Sequence, residues 1–480
     1  QIGHVAELAL AKPHSSDYLN AETRITAMMK HLKTLFSAAI VWFAATTPAL
    51  AQSLIRDAEI EKILREWTNP ILEVAGLEPD DVGLYVINDP SVNAFVAGGQ
   101  RIHIHTGFIM ASDNARQIRG VMAHETCHIA CGHTVTRTRA ASVASRPALV
   151  SIGLGVLAIA AGAPDAGAAL IASSQQFAAL NFFVHTRAEE AMADTMGVQY
   201  LVELGESPMG MVEFFEKFRY QEVLSEARRF PYFRSHPLSA NRVRTTRRLA
   251  EESGLADKPE DPVAAKQFDM MKAKLVGFLE PPARVFRDYP PTDVSQPARY
   301  ARSISAMQVA DLETALREIN SLIDEEPENP YFHELKGQIL FETGKPVESI
   351  EPLVEANRLL PGNALLQIAL ARSLLARGEE NDVEAAESAL RDALIAEPNN
   401  AFAWTQLAIV FEQQDNRPMA QVATAEAAYN IGNYPRAYSF AQRALLELQP
   451  NTPAFRQASD IRNATDPALP ENEIFWRRRS

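Results

Sequence analysis

Residues 124–128 read His124-Glu125-Thr126-Cys127-His128, and this pentapeptide limits the chain more than any other stretch. On a helix, two histidines four apart project from the same face, one turn from each other. Two imidazole nitrogens then meet where one tetrahedral zinc ion can take both. The pattern H-E-x-x-H on a helix is a zinc protease signature, with the glutamate as general base. The stretch must therefore be a helix. Asp113 and Asn114 are candidate N-caps for a helix from about Ala115, and Gly132 is a candidate stop. Val121, Met122 and Ile129 supply the apolar surface that buries it.

A zinc held by two histidines needs a third protein ligand and an open position. The stretch 187–197 contains Glu189, Glu190 and Asp194. Glu190 and Asp194 are i,i+4 and share a helix face. Glu190 could bind the metal while Asp194 hydrogen-bonds a ligand histidine or assists proton transfer. By spacing alone Glu189 is a rival ligand, and His185 a weaker one. Further on, His236 and Arg242 are candidates to donate hydrogen bonds to an oxyanion at the cleft.

The N-terminus predicts export. Residues 28–33 form a basic start, 34–45 an apolar run, and Ala49-Leu50-Ala51 a cleavage site before Gln52. The native start is expected at Met28 or Met29, with residues 1–27 outside the native chain. The net charge of −14 argues against nucleic acid. The chain has two cysteines, so no disulfide framework is expected. Cys127 and Cys131 lie i,i+4 on the metal helix, a poor geometry for a disulfide, and are expected as small buried packing residues.

Residues 55–75 predict an amphipathic helix with Ile60, Ile63, Leu64, Trp67, Ile71 and Leu72 on one side. Residues 82–87 predict a strand. Asn93 to Gly99 and Arg101 to Thr106 predict a hairpin or two short strands turned by Gly98-Gly99. Such a strand offers an edge to which an extended peptide can pair. His103 and His105 alternate on one strand face and are expected to be exposed there. After the basic stretch 137–146, the apolar segment 148–172 is too short to span a bilayer. It predicts a helical hairpin that covers the site or touches a membrane surface.

These pieces together resemble the gluzincin metallopeptidases related to CAAX prenyl proteases and HtpX, and among them the periplasmic BepA-type branch. The resemblance rests on Asn93-Ala94-Phe95, the Gly-rich turn, Thr106-Gly107, His124 to His128 with Gly132-His133, Arg187-x-x-Glu190-x-x-Ala193-Asp194-x-x-Gly197, and Ser235-His236-Pro237. It covers roughly residues 55–250. It implies His124, His128 and Glu190 as ligands of one Zn2+ per chain, and so Glu190 over Glu189. It implies Glu125 as catalytic base and Asp194 as a supporting acid, and it gives His236 the option of approaching the zinc and holding the enzyme latent. Asn93, Ala94, Phe95 and Arg242 are the expected substrate contacts. No role for His133 comes with the resemblance.

In the C-terminal half, Pro327 and Pro361 are 34 residues apart, and Pro398 lies 37 further on. Thirty-four is the tetratricopeptide period. Each of these prolines precedes an asparagine within two residues. Gly344-Lys345-Pro346 and Gly432-Asn433-Tyr434-Pro435 fit helix–turn–helix junctions, whereas Pro398 to Pro450 is too long for one unit. Such repeats bind partners and carry no chemistry of their own.

The expected fold is mainly α with a small β-sheet: a zincin-like α+β catalytic domain followed by an α-solenoid of tetratricopeptide repeats. The expected domains are a signal peptide at 28–51, a metallopeptidase domain at 52–257, a connecting helix and Pro-rich linker at 258–297, repeats at 298–465 and a tail at 466–480. The expected function is a periplasmic zinc endopeptidase acting on misfolded or stalled outer-membrane proteins and assisting their assembly. The alternative is a chaperone or scaffold acting through its repeats with a latent zinc site. The expected partners are unfolded or extended polypeptides, the outer-membrane protein assembly machinery through the repeats, and a membrane surface through 148–172.

Overall fold

Asp57 caps the first helix among the described residues. Its side chain accepts from the Ile60 amide and starts the helix Ala58–Val74. The six apolar residues expected on one side of this helix, Ile60 to Leu72, are all buried. The computed structural model describes residues 54–133, 187–225, 228–379 and 381–472. The expected signal peptide, the segment before it, the basic stretch 137–146, the apolar segment 148–172 and residues 473–480 lie outside the described residues. Among those described, no helix is long and apolar enough to cross a membrane.

The first helix packs on a four-stranded sheet of order β1-β2-β4-β3. Its strands are β1 (Leu54–Ile55), β2 (Gly83–Ile87), β3 (Ala94–Val96) and β4 (Arg101–His105). Strands β2 and β4 are parallel, and β1 and β3 flank them antiparallel. Gly98 and Gly99 turn β3 into β4 with φ of 64° and 97°, a region open to glycine. Strand β3 is an edge strand, so its outer amides and carbonyls face no neighbouring strand of this sheet. Both strand histidines depart from expectation. His105 is buried, with Nδ1 2.9 Å from Ser91 Oγ, and His103 is stacked between Tyr85 and Phe95. The alternation placed them on one face, but that face is covered by aromatic rings.

The core under the sheet joins Val86, Ile102 and Ile104 to Phe108, Ile118, Met122, Phe214 and Phe215. It also takes in Phe268, Met271 and Leu275 from the helix Pro262–Leu279. The expected linker helix is thus part of the first core. The Pro-rich stretch after it carries a further helix, Pro282–Asp288, because proline at N1 starts a helix as readily as it interrupts a strand.

Among the described residues five helix–turn–helix pairs follow, beginning with Gln296–Gln308 and Leu312–Glu325 and ending with Tyr434–Glu447 and Pro453–Ala464. The Pro-x-Asn signal has a local cause. Asn329, Asn363 and Asn400 are N-caps that accept from amides of the next helix at 3.0–3.2 Å. The long interval from Pro398 to Pro450 holds one whole pair plus the first helix of the next.

The peptidase half and the repeats share one buried charge set. Lys274 Nζ lies 2.8 Å from Asp57, 3.2 Å from Glu59 and 3.9 Å from Glu334, and the Tyr300 hydroxyl donates to Glu59 at 2.8 Å. One ammonium faces three carboxylates. Burial, against the pull of Lys274, pushes the Glu334 carboxyl up to about 7. Its folded value lies above its unfolded one, so its contribution is full below about 4.5 and is lost as pH rises to about 7. We expect the stability of the wild type relative to Glu334→Gln to fall over that window and to level off above it, as read by denaturant unfolding at a pH series. Lys274→Met, which leaves the carboxylates without their cation, should cost about 3–5 kcal/mol.

Candidate metal centre

The helix Ala115–Ala130 begins at Asn114, whose side chain accepts from the Gln117 amide at 3.0 Å. The other candidate cap, Asp113, instead accepts from the Gln117 side chain and from Lys217. Every residue from Gly120 to Ile129 is buried. His124 and His128 therefore project from a helix that is covered on all sides from Gly120 to Ile129.

A second helical stretch, residues 187–203, crosses this one at Gly197. A Cβ there would sit 3.2 Å from the His124 backbone nitrogen and 2.7 Å from the Met211 methyl. The absence of a side chain allows that approach, which brings Asp194 and Glu190, one and two turns back, onto the histidines. Asp194 Oδ1 is 3.0 Å from His124 Nδ1. Glu190 Oε2 is 3.3 Å from His124 Nε2, and Oε1 is 3.5 Å from His128 Nε2.

His236 closes the group. It follows the short helix Pro231–Ser235 and places Nδ1 3.0 Å from Glu190 and 3.3 Å from His124 Nε2. His124, His128, Glu190 and His236 are all buried, and each offers one donor atom within 4.8 Å of the others. Three imidazoles and one carboxylate form a donor set suited to a zinc-type cation. Glu125, also buried, has Oε1 3.5 Å from His236 Nε2.

Charge balance supports the arrangement. Burial would raise the Asp194 carboxyl, but the Arg242 guanidinium and the hydrogen bonds from Arg242 and His124 hold it below the usual range. Burial opposes ionisation of Glu190 too, yet His236, His124 and Arg242 keep it well below. Burial would lower His124, but its hydrogen bonds to Asp194 and Glu190 and their charges raise it to about 9. The carboxylates are thus anionic at neutral pH, as cation binding requires. A divalent cation bound here would take the place of the proton on His124.

The site opens on a cleft of about 570 Å³ whose lining includes Asn93, Phe95, Val96, Glu125, His128 and His236. The edge strand β3 forms one wall of it. Three of the four residues expected to touch substrate are thus on β3 or beside it, but Ala94 points into the core and only Asn93 and Phe95 reach the cleft. Arg242 stands elsewhere. Its Nε and Nη2 each donate to Asp194 at 2.7 Å, and Nη1 donates to the Pro237 carbonyl at 2.9 Å. These donors are spent behind the histidines, so Arg242 holds the site together instead of facing substrate.

Two residues of the site went unassigned in the sequence. His133 is buried with Nδ1 2.9 Å from His128 Nδ1. Tyr232 stacks on His236, with ring centroids 4.8 Å apart. The signal for Tyr232 was its i,i+4 spacing from His236. For His133 it was Gly132, whose φ of 70° turns the chain back at the helix end. The cysteines also depart from expectation: Cys127 and Cys131 are bridged, with Cα atoms 5.3 Å apart. Cys131 is the C-cap, where the backbone leaves the regular helix, and that distance is within disulfide range.

Residues 21–250 match peptidase family M48, and residues 300–364 match the tetratricopeptide repeat. The chain is similar to the beta-barrel assembly-enhancing protease of Escherichia coli K12, with 26% identity over 367 residues that cover 75% of this chain and 73% of that protein. The protein of the same name from Yersinia pestis is 24% identical over 397 residues, 80% of this chain and 79% of that one. A protease HtpX homolog of Methylacidiphilum infernorum is 38% identical over 84 residues, 17% of this chain and 27% of that one.

The Asp194 contact predicts a measurable effect. Asp194→Asn should weaken zinc binding by about 10–100-fold, because the partner that orients His124 is lost. Competition with a chromophoric chelator measures this, and an unchanged affinity would remove Asp194 from the site.

Proposed function

Because the chain carries a family M48 peptidase domain ahead of tetratricopeptide repeats, and so is a metalloprotease, we propose that it is a zinc-dependent endopeptidase of the periplasm. Its proposed substrates are misfolded or stalled outer-membrane proteins, whose assembly it also assists. The observation that carries this reading is the buried cluster of His124, His128, Glu190 and His236 at a cleft walled by the edge strand β3. The export signal that the sequence predicts at residues 28–51 and the similarity to beta-barrel assembly-enhancing proteases support the compartment and the substrate class.

His124, His128 and Glu190 would hold one zinc ion. When bound, zinc supplies Lewis-acid polarisation of the scissile carbonyl and lowers the pKa of water. Glu125, facing the cleft, takes the proton from the attacking water and passes it to the leaving amine. An extended peptide pairs with the outer edge of β3, which sets its main chain across the cleft. Phe95, on that strand and in the cleft wall, meets a substrate side chain. Asp194 accepts from His124 Nδ1 and leaves Nε2 facing the cluster.

His236 is the device that controls access. Catalytic zinc sites keep a position open, and closed four-donor sets are structural. With His236 in place the donor set here is closed. His236 must withdraw for turnover, so this arrangement is the resting, latent form. The short helix before it is the element that has to shift. The repeats supply the surface that brings in the assembly machinery.

Purified protein should contain about one zinc per chain and cleave casein. Glu125→Gln should keep the zinc and lose about 10²–10⁴-fold in cleavage rate, the usual worth of a general base. His236→Ala should cleave casein several-fold faster than wild type while retaining zinc. Zinc content by elemental analysis and cleavage rates on the three proteins check this. Fresh protein without zinc would overturn the reading.

A further inference from the structure

The two cysteines are the whole complement of the chain, and both sit on the last turn of the metal helix. Cys127 is fully buried, beside His128 in sequence. Cys131 is half-buried at the C-cap and is the more exposed residue of the pair. The bridge between them spans the turn from which the chain leaves the helix. That exit also carries two backbone bonds, Cys131 N–H to Cys127 O at 2.7 Å and Gly132 N–H to Ile129 O at 3.0 Å. Gly132 then turns the chain, and the next residue, His133, returns to place its Nδ1 2.9 Å from His128 Nδ1.

The order of these residues matters. His133 reaches His128 only through the turn at 131–132, and the disulfide fixes the start of that turn. His128 directs its other nitrogen, Nε2, at His124 and Glu190. A partner on Nδ1 fixes which nitrogen of a ligand histidine carries the proton and how the ring is oriented. The last turn of a helix is also where it frays first, since its carbonyls lack intrahelical partners.

We propose that the Cys127–Cys131 pair is a redox site that acts on the metal centre through His133. As a disulfide it clamps the helix end in the turn that holds His133 against His128. As a dithiol it lets that turn loosen, and His128 loses its orienting partner. The exchange uses a dithiol reductant. One thiolate of the reductant attacks Sγ of Cys131, the Cys127–Cys131 bond breaks, and Cys127 leaves as a thiolate and takes up a proton. The second thiolate of the reductant then displaces Cys131, which is protonated in turn. Two electrons and two protons pass to the cysteines, and the reductant ends as its own disulfide. A disulfide oxidant reverses the step.

This proposal rests on the reading of the cluster as a zinc site, and its test separates the two. The full chain is prepared oxidised, and reduced with dithiothreitol that is then removed under argon. The zinc dissociation constant of each form is read by competition with a chromophoric chelator. Reduced wild type and Cys131→Ser should both bind zinc about 10-fold more weakly than the oxidised protein, the lower end of what loss of an orienting partner costs. His133→Ala should bind weakly in both forms, with no further change on reduction. Equal affinities in oxidised and reduced wild type would overturn the proposal and leave the zinc site standing. A reduction effect that persists in His133→Ala would overturn the route through His133. Two free thiols by alkylation and mass measurement in the non-reduced protein would overturn the bridge. No zinc binding in any form would overturn the zinc reading, and this proposal with it.

Discussion

Asp194 joins three separate stretches of the chain into one site. One carboxylate accepts two hydrogen bonds from Arg242 and pairs with His124, while all three groups are buried. A buried carboxylate is costly unless an opposite charge meets it with good geometry. The planar fork of a guanidinium supplies that geometry. The helix of His124, the stretch 187–203 and the helix Ala240–Glu252 therefore have to come together for any one of these charges to be tolerated. With Nδ1 of His124 engaged there, its Nε2 is left to face the other donors. The same Arg242 also lies 3.3 Å from Glu190, so one fixed cation underlies both Asp194 and Glu190.

Lys274 plays a comparable part between the two halves. It is buried among Asp57 and Glu59 of the first helix and Glu334 of the repeats, with Tyr300 closing the set. The helix that carries it contributes Phe268, Met271 and Leu275 to the first core and Met270 to the core of the first repeat pairs. The repeats are thus continuous with the peptidase half through one shared helix and one shared charge set. Burial pushes the Glu334 carboxyl up to about 7, so the protonation of this junction changes near neutral pH.

What was legible in the sequence was local. The buried side of the first helix could be read because a 3.6-residue period states which residues meet the core. The repeat junctions could be read because asparagine caps a helix from within its own turn. Other features depend on groups far along the chain. Alternation put His103 and His105 on one face, but only the sheet order and Phe95 decide that this face is covered. Arg242 was expected at the substrate as a hydrogen-bond donor to an oxyanion, and its actual target, 48 residues earlier, is set by how two helices cross. The Pro-rich stretch 283–297 suggested a linker, yet a helix starts at Pro282 just before it, since the first turn of a helix accepts proline because its amide needs no partner.

The sequence by itself determined the metal helix, the order of catalytic and repeat segments, and the donor types near the site. The metal helix follows from spacing along one element, which backbone geometry fixes; the choice of Glu190 over Glu189 came from the resemblance, and the order of segments from their position in the chain. Tertiary structure alone decided that His236 stands among the donors, that Arg242 lies behind them, and that His133 holds the outer nitrogen of His128. Those choices depend on the directions in which distant elements cross. Those directions are set by close packing at points such as Gly197 and by the need of buried charges to find each other.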